Sequence, residues 1–119
     1  MGLLKGIFGS KREPEWLDVG EVGEDFNSGI MNRTHTLLRE KNRRGSIGCI
    51  ICEYKPGGWG SSLEELQSWV LQALPSMNAQ MSQEQRQAIS KGDVYYLIGH
   101  ISGSSPVAGC RCVAVVSLL

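Results

Sequence analysis

Between residues 46 and 54 the apolar positions run almost without interruption: Ile47, Cys49, Ile50, Ile51, Cys52 and Tyr54, bounded by Gly45 and by Pro56-Gly57-Gly58. A run of this length with no polar alternation predicts a strand buried on both faces, and so a central one. Cys110 to Leu118 reads as a second apolar strand, preceded by a Gly/Ser/Pro loop over Ser102 to Gly109. Val94 to Ile101 is β-rich by propensity, with a buried helix left open. Residues 30 to 38, rich in Thr and aliphatics, are predicted as a further strand despite imperfect alternation.

Helical signals fall between these runs. Ser62 with Glu65 forms a capping box ahead of Leu63, Leu66, Val70 and Leu74, which recur on one helical face until Pro75 ends it. Ser82 with Gln85 opens a second, more polar helix that Lys91-Gly92 closes. The predicted order is strand, strand, helix, helix, apolar segment, strand. This is an α+β domain: a mainly antiparallel sheet packed with two helices, over residues 30–119.

Residues 1–29 lack such a pattern and are expected to be a membrane-associating tail and an acidic linker. In the tail, a helix would place Leu3, Leu4, Ile7 and Phe8 within an arc of about 140°, with Lys5 and Arg12 on the far side. That layout suits a short interfacial anchor, flanked by Lys11 as well; the other reading is that the segment docks on the folded body. It is far short of the roughly 20 apolar residues of a membrane span, and too short for a signal peptide. Trp16, Leu17, Val19 and Val22 interrupt the acidic stretch, either as a linear motif for a partner or as residues that pack on the domain.

The formal net charge of zero hides an asymmetry. Residues 13 to 25 carry Glu13, Glu15, Asp18, Glu21, Glu24 and Asp25 with no basic residue, whereas residues 33 to 44 carry Arg33, Arg39, Lys41, Arg43 and Arg44 against Glu40 alone. Arg39, Lys41, Arg43 and Arg44 form the candidate site for an anionic partner, since guanidinium groups suit phosphates; a solvated loop is the competing reading. With so few charges and no interleaved aromatics, sequence-specific nucleic-acid reading is not expected. Trp59, in a Gly-rich loop, is either an exposed interaction anchor or a lid on the core.

Catalytic and metal chemistry find little support. Cys49 and Cys52 form a C-x-x-C and Cys110 and Cys112 a C-x-C, a count that a tetrahedral zinc site could use. Residues three apart on a strand point to opposite faces, however, and Ile50 with Ile51 is too apolar a filling for a zinc knuckle, so buried free thiols in a reducing compartment are expected and no metal. No helix start adjoins the C-x-x-C, as a thioredoxin-type centre needs. His35 and His100 are the only histidines, and neither a nucleophile elbow nor a glycine-rich phosphate loop is present. No catalytic residue and no cofactor are expected.

The leader Met-Gly-Leu-Leu-Lys-Gly-Ile-Phe-Gly-Ser-Lys resembles that of the rhabdovirus matrix proteins. The strand from Ile47 to Tyr54, Pro-Gly turn, helix from Leu63 and the run Ile98-Gly99-His100-Ile101-Ser102-Gly103-Ser104-Ser105-Pro106-Val107 are similar to the first half of their globular domain. The resemblance implies a non-enzymatic structural protein of the virion. Such a protein lies in the cytoplasm at the inner face of a membrane, self-associates and holds a viral ribonucleoprotein or a host protein there. The alternative is a small soluble regulatory protein-binding module, docking through Trp16 and Trp59.

Overall fold

A computed structural model describes residues 14–23, 25–52, 62–101 and 110–119. Eight elements follow one another: β1 (Glu15–Glu21), α1 (Phe26–Glu40), β2 (Gly45–Cys52), α2 (Leu63–Ala73), a 3-10 helix (Leu74–Gln80), α3 (Gln83–Ser90), β3 (Val94–His100) and β4 (Arg111–Leu118). The strands form one mixed sheet in the order β1-β3-β4-β2. β1 runs parallel to β3, while β3 with β4 and β4 with β2 are antiparallel. The α+β class with a mostly antiparallel sheet is as the pattern predicts.

Two cores result, one on each face. Beneath α1, Ile30 and Leu38 pack on Leu97, Cys112, Ala114 and Val116; beneath α2, the 3-10 helix and α3, Leu66, Val70 and Met81 pack on Tyr96, Ile98, Val113 and Val115. β3 and β4 bury side chains on both faces, as interior strands must.

Three expectations are corrected. Residues 30 to 38 belong to helix α1 and not to a strand. Asp25 caps its start, with its carboxylate accepting from the Ser28 amide and, at 2.9 Å, from the Ser28 hydroxyl. Its buried stripe is Ile30, Thr34 and Leu38, and Thr34 satisfies its hydroxyl by donating to the Ile30 carbonyl at 2.7 Å. A threonine at a core position breaks the apolar period, which hid the helix.

Residues 15 to 21 are likewise not linker but strand β1 of the sheet. Leu17 and Val19 both pack under α1, while Trp16 packs on the opposite face. Its pairing with β3 shifts between Asp18 and Gly20, and its exposed Glu15, Asp18 and Glu21 give it the acidic composition that read as a linker.

The apolar strand β2 sits at the edge of the sheet, not its centre. Its register slips at Gly48, between Ile47 and Cys49. A Cβ at Gly48 would stand 2.9 Å from the Met81 sulfur, so glycine admits Met81 against the strand. Both predicted helix starts are capped: Ser62 accepts from the Glu65 amide at 3.2 Å, and Ser82 and Gln85 form the full capping box. Gln85 also donates to the Ser46 hydroxyl at 3.1 Å, fastening α3 to β2.

Candidate functional site

The two sheet edges are built differently. Edge strand β1 carries exposed Glu15, Asp18 and Glu21 and a bulge, the usual guards against pairing with another chain. Edge strand β2, Gly-Ser-Ile-Gly-Cys-Ile-Ile-Cys, has no charge and no proline. Beyond the slip at Gly48, residues Cys49 to Cys52 run in regular register with Val115 to Cys112.

Among the described residues, helix α1 lies mainly over β3 and β4 and leaves the β2 side of that face the less covered. Between α1 and β2 lies a groove of about 570 Å³ whose walls include Met31, Thr34 and His35 from the helix and Ser46, Ile47 and Ile50 from the strand. Met31 is 48% exposed, and Ile47 and Ile50 are half-buried. Pattern reading missed Met31, Ile47 and Ile50 as surface residues, because a continuous apolar strand is ordinarily an interior one. The absence of charge along β2 was the available signal.

The basic residues occupy the turn from α1 into β2. Arg39, Lys41 and Arg44 are exposed and Arg43 is half-buried. Lys41 is already engaged: its ammonium lies 3.8 Å from the Glu15 carboxylate and 5.8 Å from the centre of the Tyr95 ring. Arg43 borders a small cleft with Glu15 and Asp93. Acidic strand and basic turn thus face each other in part across the base of the sheet, and Arg39 and Arg44 are left as the outward members of the four.

Trp16 stacks on Tyr96 with ring centroids 4.1 Å apart and planes at 15°. It packs on the domain instead of projecting toward a partner, so its reading as an interaction residue is withdrawn. The tail candidates Leu3, Leu4, Lys5, Ile7, Phe8, Lys11 and Arg12, and Trp59, lie outside the described residues.

The cysteines divide as strand geometry requires. Cys49 is buried on the α2 face, while Cys52 packs on the α1 face beside buried Cys110 and Cys112. Cys52 and Cys112 are register partners across β2 and β4, and their thiols are hydrogen-bonded. The Cys112 S–H donates, which lowers the Cys52 pKa and, with the thiol of Cys110 close by, raises that of Cys112 strongly. Burial raises the Cys49 pKa. Among the described residues no three His, Cys, Asp or Glu side chains are grouped to hold a metal ion, and no helix is long and apolar enough to cross a membrane.

No protein-family model, no curated protein and no solved structure matches the chain.

Proposed function

We propose that this chain is a non-enzymatic assembly protein of the rhabdovirus matrix type, which self-associates at the inner face of an anionic membrane and holds a ribonucleoprotein there. The observation that carries the reading is an uncharged apolar strand on a sheet edge, beside an open apolar groove. Unpaired edge groups invite another strand, and β2 lacks the charges that repel one. Its occupant is a second copy of β2, paired antiparallel about a twofold axis. Two neutral strands meet there without opposing like charges, and Ile50 of each copy extends the groove of the other.

Membrane attachment is then additive. Leu3, Leu4, Ile7 and Phe8 insert, Lys5, Lys11 and Arg12 meet the headgroups, and each such contact is weak alone. Assembly through β2 presents several copies to one surface and makes the sum effective.

Sedimentation of the full chain over a range of concentrations, paired with flotation on vesicles containing phosphatidylserine, tests this reading. The parent is expected to form concentration-dependent oligomers and to float. Ile50→Lys is expected to remain monomeric and to float less, with an unchanged melting temperature, because a half-buried position lets the lysine stem reach water. A parent that stays monomeric at every concentration and does not float overturns the proposal in favour of a soluble binding module.

A further inference from the structure

We propose that Cys52 and Cys112 form a site of reversible oxidative modification, at which a peroxide converts the two thiols into a disulfide across β2 and β4. The C-x-x-C and C-x-C of the sequence each suggest a pair within themselves, yet the reactive pair takes one residue from each. Cys49 is excluded because it lies on the opposite face of the sheet. Cys110 precedes β4 and, among the described residues, has no register partner on β2, while Cys112 on the strand itself does. Direct partners in an antiparallel ladder have Cα atoms about 4.5–5.5 Å apart, inside the range a disulfide spans. Cys52 and Cys112 are such partners.

Access is also graded. Cys49, Cys110 and Cys112 are buried, and Cys52 alone among the four is half-exposed, at the end of an edge strand. The accessible thiol is the one whose pKa its neighbour lowers, which is the character of a sulfur that meets oxidant first.

The chemistry balances with hydrogen peroxide as the oxidant. The Cys52 thiolate attacks one peroxide oxygen and the O–O bond breaks. The departing hydroxide takes a proton and leaves as water, and Cys52 becomes a sulfenic acid. The Cys112 sulfur then attacks the Cys52 sulfur, the S–O bond breaks, and the second hydroxide leaves as water with the Cys112 proton. Two thiols have lost two electrons and two protons, and one peroxide has become two waters. A dithiol reductant reverses the bond by exchange at the exposed Cys52 sulfur. The product fastens the end of β2 to the interior strand β4. This site is independent of the assembly reading.

The test uses the reduced full-length protein, treated with hydrogen peroxide, alkylated and mapped by mass spectrometry. The expected product is an intramolecular Cys52–Cys112 linked peptide, with Cys49 and Cys110 still alkylated once the chain is unfolded, and the thiols restored by dithiothreitol. Cys112→Ser is expected to leave a Cys52 sulfenic acid that dimedone traps, and Cys110→Ser to keep the disulfide. Because the parent alone yields the map, a variant that fails to fold does not void the result. Linkage through Cys110 or Cys49, disulfides only between chains, sulfinic acid at Cys52 in the parent, or four intact thiols after peroxide excess would each overturn the proposal.

Discussion

Gly29 stands in the second turn of α1, where alanine would ordinarily add about 1 kcal/mol of helix propensity. The neighbouring backbone reverses that preference. A Cβ at this position would collide with the carbonyl of Val22, the residue through which the chain leaves β1 and which donates its own amide to the His100 carbonyl at 3.0 Å. Backbone cannot swing aside as a flexible side chain can, so Gly29→Ala must push α1 off the sheet or break the Val22 bond. Overpacking of this kind costs about 1–3 kcal/mol, more than the propensity gained. The expected outcome in thermal denaturation is a fall of roughly 5–15 °C. A rise in melting temperature would mean that α1 and Val22 do not meet as described. Buried Cys49 and Tyr96 carry a second residue-scale effect, since burial raises both their pKa values above the ordinary 9.0 and 10.0, and Cys49 ionised beside Tyr96 would raise the latter further. Below about pH 8 both groups keep their protons whether the chain is folded or not, and their contribution is fully present. As pH rises past those ordinary values the unfolded chain loses protons that the folded chain holds, so stability falls. Melting temperatures from pH 7.5 to 11 are expected to decline from about pH 9, with a shallower decline in Cys49→Ala from its own lower starting point.

At the scale of elements, β4, α2 and α3 lie where their apolar patterns and caps predict, and the segment for which the sequence left strand and buried helix open is strand β3. α1 and β1 were not legible. Thr34 fills a core position while its hydroxyl is satisfied within its own helix, so the buried stripe does not read as apolar. In β1 the apolar side chains are few, and exposed Glu15, Asp18 and Glu21 with Gly20 give the segment the composition of a linker. The position of β2 was illegible for a different reason, since strand order is settled by crossovers: α1 carries the chain over one face of the sheet to its far edge, and α2 with α3 returns it over the other. A local pattern contains no information about that path. The candidate site inherits these limits. Its basic turn was legible as a charge run, but the groove needed α1 to be a helix and β2 an edge, and the Cys52–Cys112 pair needed the β2–β4 register.

At the scale of the whole molecule, the neutral net charge gives way to an uneven distribution, because β1 begins where α1 ends. The Lys41–Glu15 contact of 3.8 Å joins these two points. Arg39 and Arg44 stand exposed beside that point, while Lys41 is held by Glu15 and Tyr95. This division separates two roles that the charge run alone leaves merged. Arg39→Glu with Arg44→Glu is expected to reduce flotation on phosphatidylserine vesicles severalfold and to flatten its salt dependence, with little change in melting temperature. Lys41→Ala is expected to leave flotation nearly unchanged and to lower stability by at most about 1 kcal/mol, the worth of an exposed ion pair. For the parent, flotation should weaken as the Debye length shrinks from about 30 Å at 0.01 M salt to about 10 Å at 0.1 M, since the charges act through water. Parent flotation that ignores salt, or a Lys41→Ala loss equal to that of the arginine pair, would deny the turn this role and leave membrane attachment to the apolar tail alone.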